Sequence, residues 1–342
     1  MIVQFTLHPT AFFLNGHDHA QQVAIIKAVE RYWLHSGVYV QLAGCPAGQL
    51  APDVLAALSP DIRRLWQELF KQAHRRSRIR TCSKGAIGAF KDEPASCLRQ
   101  LERIVELVCL DKENGVAFSI PDDKPCFSDP VTKIEVCRID CVEASITFSA
   151  AYGSLKGAFR KGEKRERILK EFIEPHAKLN SKIVVVDRYL IERHIEGTGN
   201  PTGLVSILKS LNSLENDSYL TIYSGVDTID PKAWIDKIRA ALKALGPGSL
   251  TEVVVYLCPQ KIFARDVHHR YMKFGSDAAL FLDFGLEVLE STLVVRSCKY
   301  HYDWSRVITE DSETTLRQHV KPVKFERGNG LAKAPQSVVS VK

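Results

Sequence analysis

The C-terminal half of the chain alternates between strand-like and helix-like patterns, and this alternation constrains the fold more than any other feature of the sequence. Apolar runs at 182–187, 219–223 and 251–258 predict strands, and the residues at 202–213 and 231–245 have the periodicity of amphipathic helices. A strand–helix–strand–helix–strand order implies parallel pairing through right-handed crossovers. The sequence therefore predicts an α/β fold with a mainly parallel sheet in this half.

The N-terminal half mixes the same two patterns in a less regular order. Asp18 is expected to begin a helix, because its carboxylate can accept the free N–H groups of the first turn. The pattern changes between residues 140 and 160, so we predict a mixed α/β domain at 1–150, a second domain at 151–325 and a polar tail at 326–342. In the first domain the predicted strands are 2–7, 38–42, 116–120 and 134–139, and the predicted helices are 18–35, 54–73 and 96–110.

The composition is typical of a soluble globular protein. Of the 342 residues, 45% are hydrophobic and 25% are charged, and the formal net charge of +6 permits contact with nucleic acid or anionic lipid without requiring either. The nine cysteines form no C-x-x-C motif, which favours reduced thiols in a cytoplasmic protein. Neither a signal peptide nor a membrane span of about 18 apolar residues is predicted, whereas a peripheral membrane contact stays open.

Charged residues follow two of the predicted strands. Asp187 and Arg188 end the strand that begins at Lys182, and the segment Arg265–Phe274, with its two histidines, follows the strand at 251–258. Ligands of parallel α/β sheets gather at the carboxyl ends of the strands. These positions therefore predict a phosphate or phosphodiester site. An internal ion pair between Asp187 and Arg188 is the competing interpretation.

Two short motifs in the C-terminal half carry a family resemblance. The first is Phe172–Pro175 followed by Ser181–Tyr189, and the second is His268–Tyr271 followed by Leu282–Gly285. Through these motifs, residues 160–300 resemble the phospholipase-D-like domain found at the C-terminus of MIT-domain proteins and in bacterial relatives. The resemblance implies an α/β sandwich and phosphodiester chemistry that needs neither a metal nor a cofactor. For the MIT-associated members it implies binding of lipid or protein rather than hydrolysis.

The signature of that family, His-x-Lys with an aspartate downstream, is altered in this chain. Arg270 stands where the lysine is expected and Gly275 where the aspartate is expected. Arginine can still bind a phosphate bidentately, so phosphate binding is compatible with the change. The carboxylate that orients the histidine must come from another position, and the candidates are Asp187, Asp266 and Asp283.

The resemblance implies roles for a small set of residues. One of the two adjacent histidines would be the nucleophile or the general acid, two arginines would hold the phosphate, and one of two aspartates would orient the imidazole. These predicted catalytic residues are His268, His269, Arg188, Arg270, Asp187 and Asp283. A site with two histidines would need His194, both adjacent histidines or a second copy of the chain, so a protein partner or a homodimer is expected.

Two hypotheses of function follow from these residues. The first is nucleic-acid cleavage by a phospholipase-D-like nuclease, which the bacterial relatives would connect with antiviral defence against foreign DNA. The second is a degenerate, non-catalytic module that binds a phosphate-bearing partner or a protein in a larger assembly. The altered signature favours the second hypothesis, and the concentration of histidine and arginine favours the first.

Two further clusters are candidates outside that set. The segment from His17 to His19 could hold a divalent metal, but a helix cap at Asp18 is the favoured interpretation, and no metal is predicted. A basic run after the helix at 54–73 is either a contact for nucleic-acid phosphates or a solvated helix end. The predicted phosphate-contacting residues are Arg75, Arg76, Arg78, Arg80, Arg265 and Lys273.

Overall fold

The computed structural model is an α/β structure that forms two compact units, an N-terminal unit (Met1–Leu155) and a C-terminal unit (Lys156–Lys342). Each unit contains one sheet with helices packed against it. None of the described helices is long and apolar enough to cross a membrane. The structure describes residues 1–42, 52–82, 94–117, 120, 124–197, 201–226, 231–320 and 322–326.

The sheet of the N-terminal unit has the strand order β3-β2-β1-β4-β6-β5. All neighbouring pairs are parallel except β5 with β6, which is antiparallel. Phe5 at the centre of the sheet is the register partner of Tyr39 on one side and of Leu107 on the other. The strands are β1 Val3–Leu7, β2 Gly37–Leu42, β3 Ile79–Cys82, β4 Leu107–Leu110, β5 Cys126–Ser128 and β6 Glu135–Arg138.

The longest helix of this unit begins where the sequence predicts it. Asp18 caps that helix by accepting the N–H of Gln21, whose side chain accepts the N–H of Asp18 in return, so the predicted cap is confirmed. The apolar face of the helix buries Trp33 against Phe5 and Phe70. The helices are α1 His19–Ser36, α2 Pro52–Ala57, α3 Pro60–Arg75, α4 Pro94–Leu101, α5 Lys112–Ala117 and α6 Ile146–Gly153.

Three predictions for this unit were wrong in part. The helix predicted at 96–110 ends at Leu101, and the apolar run Leu107–Leu110 is instead a fully buried central strand. The run predicted as a strand at 116–120 overlaps the end of α5. The helix predicted at 54–73 is interrupted before Pro60, because proline cannot continue a helix but suits its first turn.

The sheet of the C-terminal unit has the strand order β14-β10-β9-β8-β11-β12-β13-β7. The predicted parallel pairing of its central strands is confirmed for β8 with β9 and for β9 with β10. The remaining pairs are antiparallel, so the sheet is mixed rather than mainly parallel. The strands are β7 Lys156–Phe159, β8 Lys182–Val186, β9 Ser218–Val226, β10 Leu250–Pro259, β11 Tyr271–Phe274, β12 Ala278–Leu282, β13 Cys298–Asp303 and β14 Val323–Glu326.

The helices of the C-terminal unit connect and cover these strands. A π-helical turn, Leu169–Ile173, joins the first two of them, and a 3-10 turn, Gly285–Leu289, follows β12. One face of the sheet buries Val186, Tyr223 and Phe281 in a single apolar cluster. The helices are α7 Arg165–Ile168, α8 Glu174–Leu179, α9 Leu190–Glu196, α10 Gly203–Asn212, α11 Pro231–Lys243, α12 Gln260–Arg265 and α13 Val307–Arg317.

Candidate functional site

The carboxyl ends of β8, β9 and β10 form the edge of the C-terminal sheet at which the sequence predicts a site. The Gly225 N–H donates to the Arg188 carbonyl oxygen at 2.8 Å, and the Ser224 hydroxyl donates to the same oxygen at 3.3 Å. A Cβ atom at position 225 would lie 2.9 Å from that oxygen, so glycine permits this close approach. The backbone that follows β8 is therefore fixed against β9.

Asp187 is buried at this edge, and its carboxylate accepts hydrogen bonds from the backbone. Its carboxylate accepts the Tyr189 N–H at 3.0 Å and the Leu286 N–H at 2.6 Å, so it ties the end of β8 to the turn after β12. Burial raises the pKa of Asp187, and the two backbone N–H bonds and the charge of Arg270 oppose that rise. Gly285 in the same turn has a φ of +63°, and a Cβ atom there would meet the Asp187 carboxylate.

Arg188 lies over the Tyr189 ring and is held by an amide. Its guanidinium carbon is 5.0 Å from the ring centroid. Its Nε and Nη2 both donate to Gln260 Oε1, at 3.0 and 2.7 Å, and Gln260 Nε2 donates in turn to Glu192 at 3.0 Å. Arg188 follows β8 and Gln260 directly follows β10, so the hydrogen bonds between them join the ends of two different strands. Among the described residues, no carboxylate forms an ion pair with it.

Arg270, the residue before β11, approaches the same ring. Its guanidinium carbon is 5.2 Å from the Tyr189 centroid, and the side chain is half-buried. Within the described ranges the Arg270 side chain makes neither a hydrogen bond nor an ion pair, and Asp187 acts on it only through its charge. We call Arg188 and Arg270 the arginine pair. The pair brings two cationic groups with free N–H donors to one aromatic ring, an arrangement suited to an anion.

The two predicted histidines lie outside this arrangement. His268 and His269 are both exposed, and His269 packs its ring edge-on against Phe281 at 5.7 Å. Neither imidazole has a hydrogen-bond partner in the part of the chain that the structure describes. Asp283, one of the two predicted orienting carboxylates, is exposed, and Asp187 uses both of its oxygens on backbone N–H groups. The charge of His268 acts on Asp266, but that carboxylate is paired with Arg265, so neither imidazole is hydrogen-bonded to a carboxylate in the described part of the chain.

Two other predicted phosphate ligands have carboxylate partners. Arg265 forms a bidentate pair with the adjacent Asp266 on the surface, with N–O distances of 2.8 to 3.0 Å. Lys273 pairs with the buried Glu313 of α13, which also accepts from Arg317 at 3.2 Å. Lys273 thus fastens α13 to the sheet and is not free for a phosphate.

The structure contradicts phosphate contact for Arg78 in the basic run after α3, whereas the exposed Arg75 and Arg80 stay predicted phosphate contacts. Arg78 is completely buried, and its Nη2 donates to the His35 carbonyl at 3.5 Å. Arg76 Nη1 donates to the Leu34 carbonyl at 3.4 Å, and Arg80 Nη1 donates to the side chain of Gln4 at 3.1 Å. The last carbonyls of a helix lack hydrogen-bond donors within the helix. Arg76 and Arg78 donate to two such carbonyls at the end of α1. Arg75 is exposed.

The histidines that flank Asp18 do not form a metal site with it. His17 Nε2 is 3.7 Å from Asp140 Oδ2, and Asp140 pairs with Arg138. No group of three metal-binding side chains occurs in the described ranges. The cap is the role that the structure gives to Asp18.

A polar cluster at the carboxyl edge of the N-terminal sheet was not found from the sequence. Thr10 follows β1 and donates to Asp111, which follows β4, and Asn114 Nδ2 donates to Thr10 at 2.9 Å. His8 Nδ1 is 2.7 Å from Thr10 Oγ1. This is the switch point of the sheet, where successive connections leave in opposite directions. Because the sequence analysis predicted a helix at 96–110, it did not predict the strand β4, and so it did not identify Asp111 as a residue that follows a strand.

The hydrogen bonds of Asp111 make the stability of the N-terminal unit depend on pH. Burial acts to raise the pKa of Asp111, but the bonds from Thr10 and Asn114 and the charge of His8 together hold it below its ordinary value. A carboxylate with a lowered pKa stabilises the fold above its unfolded pKa, and that stability is lost as the pH falls through the folded value.

We therefore expect Asp111→Asn to lower the free energy of unfolding at pH 7 by about 1–3 kcal/mol, the usual cost of disrupting a buried hydrogen bond. The difference in the free energy of unfolding between wild type and Asp111→Asn should become smaller only below about pH 4, where the Asp111 carboxyl of the unfolded chain is protonated. Urea unfolding between pH 7 and pH 3 measures it. Asp61→Asn, an exposed carboxylate of α3, is the control and should have little effect. A difference that is independent of pH would contradict this role for the carboxylate.

Comparison with protein-family models and with curated proteins finds no match to this chain. The phospholipase-D-like resemblance, the nuclease hypothesis and the expected protein partner or homodimer therefore stay predictions.

Proposed function

We propose that the C-terminal unit binds a phosphodiester-bearing partner, with the arginine pair as the ligand for the phosphate oxygens. The observation that carries the proposal is the position of both guanidinium groups over the Tyr189 ring, 5.0 and 5.2 Å from its centroid, without a carboxylate partner among the described residues. Each guanidinium group has a fork of N–H donors that matches the oxygens of a phosphate, and both groups lie near the same ring.

The neighbouring contacts support this assignment. The amide of Gln260 orients Arg188 without neutralising it, because an amide oxygen accepts hydrogen bonds but has no net charge. Asp187 is buried, and its oxygens are directed to the N–H groups of Tyr189 and Leu286. No carboxylate of the described residues forms an ion pair with either arginine, and unpaired cationic groups attract a phosphate backbone.

We propose a nucleic-acid strand as the partner and binding rather than cleavage as the activity. A strand offers phosphodiesters in series, and the net charge of +6 favours association with it. Cleavage of the phospholipase-D type would need an imidazole held by a carboxylate. The exposed His268 and His269 have no such partner in the described part of the chain, so the geometry supports the non-catalytic hypothesis.

Fluorescence anisotropy with labelled single- and double-stranded DNA and RNA, in EDTA, tests the proposal. We expect Arg270→Ala to weaken binding about tenfold, which is about 1.4 kcal/mol. The slope of log affinity against log salt should fall by about one, because one phosphate contact is lost. Arg265→Ala, which removes an arginine already paired with Asp266, is the matched control and should change the affinity less than twofold. Equal affinity of Arg270→Ala and wild type for every strand would refute the proposal.

The same samples decide between binding and cleavage. The double variant His268→Ala/His269→Ala should bind as wild type does, and neither protein should cleave any strand in EDTA. Cleavage that is present in wild type and absent in the double variant would instead support the nuclease hypothesis, because phospholipase-D-like chemistry uses a histidine nucleophile and no metal.

A further inference from the structure

Three cysteines lie side by side across the edge of the sheet in the N-terminal unit. Cys137 on β6 is the register partner of Cys109 on β4 and of Cys126 on β5. The sulfurs of Cys126 and Cys137 are 2.8 Å apart, so these two thiols are in direct contact. Both cysteines are free thiols in the structure.

The backbone register places Cys126 and Cys137 at a position that a disulfide can bridge. The Arg138 N–H donates to the Pro125 carbonyl at 3.0 Å, which makes the preceding cross-strand pair a hydrogen-bonded one. Hydrogen-bonded and non-hydrogen-bonded pairs alternate in an antiparallel ladder, so Cys126 faces Cys137 in a non-hydrogen-bonded pair. The Cα atoms of such pairs are about 4.5 Å apart, within the range of about 4.4–6.8 Å that disulfides span.

The two thiols differ in access to solvent. Cys126 is half-buried on the short edge strand β5, whereas Cys137 is fully buried on β6. The hydrogen bond with Cys126, and then burial, raise the pKa of Cys137, so this thiol stays protonated in the reduced protein. A small oxidant can therefore reach Cys126 first, and Cys137 lies in contact with it to complete the reaction.

We propose that Cys126 and Cys137 form a reversible thiol–disulfide site that exchanges with low-molecular-weight disulfides such as oxidised glutathione. Cys126 loses its proton, and its thiolate attacks one sulfur of the small disulfide. The S–S bond of the small disulfide breaks, a mixed disulfide forms on Cys126, and the released small thiolate takes up the proton that Cys126 lost. Cys137 then attacks the Cys126 sulfur, the protein disulfide forms, and the second small thiol leaves with the proton of Cys137. Two protein thiols are oxidised and one small disulfide is reduced to two thiols.

The product is a covalent link between an edge strand and its neighbour. In the reduced protein β5 has three residues and pairs with β6 on one side only among the described strands. A disulfide at its first residue would hold it in register and reduce the freedom of the unfolded chain. Oxidation is therefore expected to raise the thermal midpoint of the N-terminal unit by several degrees, reversibly with reductant.

The sequence makes this site easy to map, because trypsin separates the relevant thiols. Full-length protein is incubated with oxidised glutathione, blocked with an alkylating reagent, digested without reduction and analysed by mass spectrometry. Lys124 precedes a proline and resists cleavage, so Cys109, Cys126, Cys137 and Cys141 fall in the separate peptides 104–112, 113–133, 134–138 and 139–156. The expected result is a linked species of 113–133 with 134–138 that disappears on reduction.

Three variants give the order of the steps. Cys137→Ser should accumulate a glutathione adduct on Cys126, because the resolving thiol is absent. Cys126→Ser should leave Cys137 reduced, because the buried thiol is not reached. Cys141→Ser, which removes another half-buried thiol of the same unit, is the control and should form the linked species as wild type does.

Two results would overturn the proposal. One is a wild-type protein in which Cys126 carries a stable glutathione adduct and no linked species forms. The other is a Cys126 that stays fully reduced under conditions in which exposed thiols are oxidised. If Cys137→Ser does not fold, the wild-type peptide map decides between these outcomes without it, since the linked species is either present or absent.

Discussion

The double variant Arg188→Ala/Arg270→Ala is expected to bind nucleic-acid strands about 100-fold more weakly than the wild-type protein, a loss of about 2.7 kcal/mol. The two guanidinium carbons lie 5.0 and 5.2 Å from the Tyr189 ring centroid, so we expect both groups to contact phosphates of the same strand. Removing the pair leaves the carboxylates of Asp187 and Glu192 near this edge. Anisotropy titrations at a fixed salt concentration give the affinity, which has no meaning without that concentration.

The two single variants and the double variant together form a thermodynamic cycle. If the two arginines hold the same phosphate, the loss in the double variant should differ from the summed losses of the single variants by at least about 0.5 kcal/mol. Arg188→Ala also removes the contact with Gln260, so thermal unfolding of each variant must show that the unit is still folded. Losses smaller than threefold in the folded double variant would exclude the arginine pair as the phosphate ligand.

Asp187→Ala is expected to destabilise the C-terminal unit by about 2–5 kcal/mol. The substitution leaves two backbone N–H groups, of Tyr189 and Leu286, without their acceptor, and each unsatisfied buried group costs about 1–3 kcal/mol. Because burial raises the pKa of Asp187, the ionised form is costly at neutral pH, and the uncharged Asp187→Asn should lose less than Ala. Urea unfolding monitored by circular dichroism measures both.

Asp283→Ala provides the control for this prediction. Asp283 follows β12 and was predicted with Asp187 as an orienting carboxylate, but it is exposed. Its removal should change the free energy of unfolding by less than about 0.5 kcal/mol. Equal effects of the two substitutions would mean that the bonds to Tyr189 and Leu286 do not stabilise the unit.

Local pattern sufficed for the central strands of the C-terminal sheet. The apolar runs that end at Asp187 and Cys258 are long, are rich in valine and are separated by helices with one apolar face. Parallel strands buried on both faces require such runs, and right-handed crossovers leave few ways to connect them. The edge at which Arg188 is found therefore follows from the sequence, as does the cap at Asp18.

Local pattern failed where tertiary contacts decide. The run Leu107–Leu110 continues the apolar spacing of a helix, and its burial between β1 and β6 makes it a strand. Arg78 belongs to a basic run that is typical of a surface, yet the carbonyls at the end of α1 draw it into the interior. The strand conformation of Leu107–Leu110 and the burial of Arg78 both depend on contacts with residues distant in the sequence.

The sequence by itself determined the α/β class, the three parallel strands β8, β9 and β10 and the sheet edge at which Arg188 lies, because hydrophobic periodicity and chain connectivity are local properties. Only the tertiary structure decided which charged residues are neutralised. It paired Lys273 with Glu313, buried Asp187 against two backbone N–H groups and left the arginine pair over Tyr189. The physical reason is that an ion pair or hydrogen bond depends on a few ångströms between residues far apart in the chain, and sequence spacing does not encode that distance.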